Sequence, residues 1–166
     1  MKIYVTGISG SGKTSIERLL NERGVSAVDI DNLSHWENKE TKERTGWDHD
    51  RSDEWYKAHA WVCNIQKLKE ALESSEHVVA VGHASNQEEY LPFFDKTYIL
   101  RCRPETIIAR LTARTDNDFG KHPTELERIL GWQKGFDSEM IGKGAEPLDA
   151  ERPLEEIVAD IEANFQ

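Results

Sequence analysis

The sequence predicts an α/β fold in three layers, a parallel sheet covered by helices on both faces. Three observations carry this. Short β-branched or aromatic runs recur at residues 3–5, 25–29, 78–81 and 97–102. Helical apolar stripes separate them, and a glycine-rich turn follows the first run directly. Strands that alternate with helices must be parallel and buried on both faces, so they read as continuous apolar runs rather than alternating ones.

Each element has a local cause. Ile3-Tyr4-Val5 is the first buried strand. Ile16, Leu19 and Leu20 share one face of the helix that follows, and Gly24 stops it. A long helix is expected from about Trp55 to Leu72, with Trp61, Val62, Ile65, Leu68 and Leu72 on its core stripe. Ser85 and Glu88 have capping-box spacing for a short helix. Pro104 opens a helix that turns Ile107, Ile108 and Leu111 inward. A further helix is expected over Thr124 to Phe136, a short last strand at Pro147-Leu148, and a final helix after Pro153 carrying Leu154, Ile157, Val158 and Ile161.

The 166 residues suit one domain spanning 1–166, with enough chain for a proper core. The net charge of −10 disfavours bulk nucleic-acid binding and anionic membranes, because the mean field repels phosphate. Two cysteines, Cys63 and Cys102, rule out a disulfide framework, and their placement reads as small buried hydrophobes. No run of eighteen apolar residues occurs and the N-terminal apolar stretch is too short for a signal peptide, so a cytoplasmic protein is expected. Monomer and homodimer are both compatible with the sequence.

Gly7-Ile8-Ser9-Gly10-Ser11-Gly12-Lys13-Thr14 matches G-x-x-x-x-G-K-S/T at every position, in the strand–loop–helix context that the motif requires. Gly7, Gly10 and Gly12 let the backbone curl, so that successive N–H groups, with those of Ser9 and Ser11, point at one phosphate. The helix start adds its positive dipole end. Lys13 reaches the β- and γ-phosphates of ATP, and the Thr14 hydroxyl ligates Mg²⁺.

Asp29 and Asp31 stand at the carboxyl end of the second strand, the end that faces ligands in open parallel sheets. One is suited to orient a Mg²⁺-bound water or to take a proton from an acceptor hydroxyl, and the other to hydrogen-bond substrate hydroxyls. The same pair also reads as solvated acids, with Asp31 capping the next segment. The third strand ends in Gly82-His83 and lacks the acid expected of a Walker B strand, which leaves Asp29 and Asp31 as the nearest carboxylates and keeps open a regulatory protein that hydrolyses ATP slowly. His83 reads as a substrate contact or as a packing residue.

Arg110 and Arg114 lie four apart on one helix face before a polar loop, where guanidinium groups suit base stacking, phosphate clamping or a solvated helix end. Residues 32–54 are polar, with Trp36 and Trp47 as the main apolar features. Arg51 suits an anionic acceptor and the tryptophans suit a sugar or base, unless the segment is flexible surface. The cluster Asp48-His49-Asp50 reads as solvated charge rather than a metal site.

The glycine-rich loop followed by Asp-x-Asp at the end of strand two resembles the small P-loop kinases, among them shikimate, gluconate and nucleoside monophosphate kinases. The segment Arg110 to Lys121 is also similar to that of bacterial ATP-binding proteins described only as kinase-like. The resemblance implies a sheet of order 2-3-1-4-5, an acceptor-binding region at about 32–54 and a lid at about 112–125. It further implies an adenine-side loop over Ala145 to Arg152, and Lys121 near the phosphates in a closed lid. The activity it implies is transfer of the γ-phosphoryl group of ATP to a small-molecule acceptor, with a hydroxyl as the expected acceptor group and a nucleoside or nucleotide as the alternative acceptor. Where shikimate kinases carry three glycines after strand three, this chain has Gly82-His83-Ala84.

Overall fold

A computed structural model describes residues 1–48, 51–115 and 118–165, apart from the side chain of Lys134. The first strand, β1 (Lys2–Thr6), runs into the glycine-rich loop and α1 (Lys13–Glu22). Then β2 (Ser26–Asp29) ends in a 3₁₀ turn, Ile30–Leu33. A small excursion follows: β3 (Ser34–Asn38), β4 (Arg44–Thr45), α2 (Asp53–Ala58) and β5 (His59–Cys63). The chain continues through α3 (Ile65–Glu73), β6 (Val78–Val81), α4 (Gln87–Tyr90) and β7 (Lys96–Arg101). It closes with α5 (Pro104–Ala113), α6 (Pro123–Gly142), β8 (Glu146–Asp149) and α7 (Leu154–Glu162).

The main sheet has the order β2-β6-β1-β7-β8 and every pairing in it is parallel. Numbered among themselves, its five strands run 2-3-1-4-5, as the resemblance implied. Side chains alternate across it. Ile3, Val5, Val79, Val81, Tyr98 and Leu100 pack on one face with Ile16 and Leu20 of α1 and Ile157, Val158 and Ile161 of α7. Tyr4, Val78, Ala80 and Ile99 pack on the other with Leu68, Ile107, Leu111, Ile129 and Met140. This is the three-layer arrangement that period-2 strands between amphipathic helices impose.

The expected helix over 55–72 is not one helix. Ser52 accepts a hydrogen bond from Trp55 N at 3.2 Å and starts α2, while Asn64 accepts from Lys67 N at 3.0 Å and starts α3. Between these caps His59-Ala60-Trp61-Val62-Cys63 pairs antiparallel with β3, placing Trp61 opposite Trp36 and Cys63 opposite Ser34. Aromatic and β-branched residues gain more from cross-strand packing than from a helix here. Trp61 is therefore a strand residue of a three-stranded sheet of order β4-β3-β5, not a core helix residue. The capping box at Ser85 and Glu88 does not form either. Asn86 sits at the cap position of α4, but its side chain instead accepts from Cys63 N at 2.9 Å and donates to Cys63 O at 3.1 Å. That exchange fastens the small sheet to the loop after β6. The helix expected over 124–136 extends to Gly142, and the last strand spans four residues. Both cysteines are free thiols, Cys63 buried and Cys102 half-buried.

Gly82 has φ +135°, and a Cβ there would stand 2.7 Å from Cβ of the fully buried Ile30. Its carbonyl accepts from the buried Tyr4 hydroxyl at 3.0 Å. The end of β6 and the turn carrying Asp31 thus touch with no room for a methyl group. Gly82→Ala is expected to cost about 1–3 kcal/mol from backbone strain and displacement of Ile30. Urea denaturation measures this, and an unchanged midpoint would contradict the close approach.

Candidate active site

The carboxyl ends of the main-sheet strands open into a cleft of about 1550 Å³. The loop from Gly7 to Thr14 forms its floor, with Gly7, Ser9, Gly10, Ser11, Gly12, Lys13 and Thr14 all lining it. Gly12 adopts φ +105° directly before α1, a conformation that turns the loop into the helix start. The Ser11 hydroxyl is buried in the loop without a hydrogen-bond partner. Lys13 Nζ donates to the carbonyls of Gly7 at 2.6 Å and Ile8 at 2.9 Å. Burial lowers the Lys13 pKa, and the carboxylates of Asp31 and Asp29 oppose that fall. An ammonium partly withdrawn from water among carbonyls and acids is a group that an entering polyphosphate would stabilise.

Asp29 is buried at the end of β2 and shares its two oxygens. Oδ2 accepts from the Thr14 hydroxyl at 3.2 Å, and Oδ1 accepts from the Asp31 backbone N–H at 2.9 Å. Burial raises its pKa, the neighbouring Asp31 charge raises it further, and the hydrogen bond from the Asp31 amide works the other way. It is Asp29, not Asp31, that caps the turn. Asp31 lines the cleft, and its Oδ1 accepts from the Trp61 indole N–H at 3.1 Å. The two acids therefore have different surroundings. Thr14 and Asp29 suit Mg²⁺, which takes few protein oxygens and keeps several waters. Among the described residues no group of three or more His, Cys, Asp or Glu side chains is placed to hold a metal by itself.

Arg110 and Arg114 both line the cleft. Arg110 bridges two parts of the wall, donating from Nη1 to Ser11 O at 3.1 Å and from Nη2 to Ala150 O at 2.7 Å. Phosphate loop, α5 and the turn after β8 are thereby joined on the side where Arg152, Leu154 and Ile157 complete the cleft. Arg114 caps α5 in extended conformation and donates to the Phe119 carbonyl. Lys121 pairs with Asp118 at 2.8 Å and does not line the cleft, so in this structure it stands away from the phosphate loop. Asp116 and Asn117 of the lid lie outside the described residues, as do His49 and Asp50. Arg51 also stands away from the cleft. It donates to Gly46 O at 2.9 Å, pairs with Asp48 at 3.2 Å and lies 4.9 Å over the Trp55 ring, so it is no acceptor-binding cation here.

Among the cleft residues that the sequence does not mark are Trp61, Tyr56, Arg128 and Trp132. The alternation His59-Ala60-Trp61-Val62-Cys63 was the available signal for Trp61, since it fits a strand as well as a helix. Nothing local marks Arg128 or Trp132, which reach the cleft because α6 crosses above it. His83 also lines the cleft, with its ring edge-on to Phe136 at 4.6 Å and Trp132 at 5.7 Å.

Burial lowers the His83 pKa to about 4, with the Lys13 charge adding to the effect. The folded protein keeps this ring neutral to about pH 4, whereas the unfolded chain takes up the proton near 6.5. The unfolded state binds more protons between those values, so stability falls as pH drops through that window. The loss is expected at about 3 kcal/mol by pH 4. His83→Gln should flatten the difference, read from urea denaturation at a series of pH values. Parallel pH dependence in both proteins would show that His83 is not the group responsible.

Among the described residues no helix is long and apolar enough to cross a membrane. In sequence, the chain is 31% identical over 119 residues to a protein of Methanocaldococcus jannaschii described as a putative adenylate kinase. That match covers 69% of this chain and 59% of the relative, so the chain spans about three fifths of that protein's length. In structure, it is similar to shikimate kinase from Aquifex aeolicus, with a TM-score of 0.58 at 18% identity over 99% of this chain and 96% of that one. It is also similar to deoxyadenosine kinase from M. mycoides, with a TM-score of 0.56 at 14% identity over 99% of both chains. These likenesses show the small P-loop kinase fold. Residues 3–131 match the family model described as AAA domain, and with the phosphate loop inside that span the chain belongs to this family of P-loop domains.

Proposed function

We propose that this protein transfers the γ-phosphoryl group of ATP to a hydroxyl of a small-molecule acceptor. The observation that carries the proposal is the division of labour between two acids on one turn. Asp29 backs Thr14 beside the phosphate loop, and Asp31 faces the same cleft with one oxygen fixed by Trp61. A protein that only bound nucleotide would need the first acid and not the second.

In this reading the loop amides and Lys13 hold the β- and γ-phosphates. Thr14 and Asp29 are the residues that would hold Mg²⁺, directly or through its waters, and the ion would neutralise charge on the transferring group. Arg110 forms the nucleotide-side wall with the turn at Ala150, and Arg114 stands at the lid edge. Asp31 takes the proton of the acceptor hydroxyl as its oxygen bonds to γ-phosphorus and the bond to the bridging oxygen breaks, releasing ADP. Positioning and electrostatics supply most of the rate. A second reading, with a nucleotide as acceptor, is supported by the name of the M. jannaschii relative.

The test is transfer of label from γ-labelled ATP with Mg²⁺ into a pool of metabolites. A labelled organic product is expected, and it should vanish in Lys13→Ala. Asp31→Asn should lower kcat about 10²–10⁴-fold while ATP affinity stays within a few-fold. Label in inorganic phosphate alone would contradict the proposal, and unchanged turnover in Asp31→Asn would remove the base assignment.

A further inference from the structure

The half of the cleft beyond Asp31 is walled by rings. Trp36, Trp47, Tyr56, Trp61 and Phe119 all line it and all remain half-buried. They are fixed against one another rather than loose. Trp36 stands 5.6 Å from Trp61 and 5.8 Å from Tyr56, and Trp47 meets Phe119 edge-on at 5.6 Å. The last contact joins the excursion after β4 to the lid loop. Two of the polar edges are already used, because the Trp47 indole donates to the Tyr56 hydroxyl at 2.8 Å and the Trp61 indole to Asp31. The wall thus presents ring faces and few free donors. Half-exposed aromatic faces around a concave site suit a flat ligand that stacks on them.

The cations of this half are engaged elsewhere. Lys39 Nζ donates to Lys57 O at 2.7 Å. Arg128 is ion-paired with Asp53 and lies 4.1 Å over the Tyr56 ring. Arg114 donates to the Phe119 carbonyl. A phosphate or carboxylate on the acceptor would share these groups with the partners they already hold and would stand near Asp31, like charge beside like charge. A neutral ring meets neither cost, and it stacks on an aromatic face whatever its identity.

Resting on the phosphotransfer reading, we infer that the acceptor is an uncharged hydroxyl compound bearing a flat heteroaromatic ring, the nucleoside class, rather than a nucleoside monophosphate or an aliphatic hydroxy acid. The experiment offers γ-labelled ATP and Mg²⁺ with three separate pools: the common nucleosides, their monophosphates, and aliphatic sugars and hydroxy acids. Alongside it, the same nucleosides and monophosphates are titrated into Lys13→Ala without ATP, following quenching of tryptophan fluorescence. Label should enter the nucleoside pool, and Trp36→Leu should raise KM for that acceptor about tenfold while kcat stays within about threefold. Trp47→Leu serves as the second variant if the Trp36 cluster does not survive substitution. Label confined to either of the other pools overturns the inference and leaves phosphotransfer standing. With no label in any pool the phosphotransfer reading fails, and the titration decides. Saturable quenching by nucleosides and not by monophosphates supports the ring-binding site, and its absence overturns it.

Discussion

One partly desolvated charge organises this molecule: the ammonium of Lys13. Burial works against its protonation, and Asp31 and Asp29 oppose that effect from the next strand of the fold. The loop answers with the Gly7 and Ile8 carbonyls, which accept from Nζ. Phosphate loop and acidic turn therefore cannot be varied separately, since each is part of the other's electrostatic environment. In a low-dielectric cleft such interactions are stronger than at a surface, and an unmatched member costs more.

The parallel sheet makes this arrangement possible. Every strand delivers its following loop to the same edge, so segments far apart in sequence converge there. The phosphate loop follows β1, Asp29 ends β2 and Asp31 follows it, His83 follows β6 and Ala150 follows β8. Arg110 then ties the first of these to the last through two backbone carbonyls. The small β4-β3-β5 sheet is fastened to the same edge by the Asn86–Cys63 exchange and by Trp61 on Asp31. A substitution in that excursion can reach the acid without touching the phosphate loop.

The parts legible in the sequence are those whose signal is local. Gly7 to Thr14 identifies a phosphate loop because Gly7, Gly12, Lys13 and Thr14 are each required there by backbone geometry, charge or metal ligation. The apolar runs at 3–5 and 78–81 identify buried strands because nothing polar interrupts them. Asp29 and Asp31 could be placed at the carboxyl end of β2 from topology, but their different surroundings depend on tertiary partners, Thr14 for one and Trp61 for the other. His59 to Cys63 was misassigned because a short aromatic run satisfies a helical stripe and a strand equally, and pairing with Ser34–Asn38 decides between them. Arg51 looked like a ligand-binding cation because its charge was visible and its partner Asp48 was not identifiable from spacing. Trp36 and Trp47 of the ring wall fall in the polar segment 32–54, where the sequence marks them as candidate contacts, whereas Tyr56, Trp61 and Phe119 join them only through tertiary structure.

The most direct measurement of the central claim is a crystal structure with Mg²⁺ and a non-hydrolysable ATP analogue. Lys13 Nζ should have left the Gly7 and Ile8 carbonyls for the β- and γ-phosphates, and the Thr14 hydroxyl should have turned from Asp29 Oδ2 to the metal. The γ-phosphate should then lie on the Asp31 side of the cleft. An analogue bound with Lys13 still on the loop carbonyls, or with its terminal phosphate directed away from Asp31, would contradict the account.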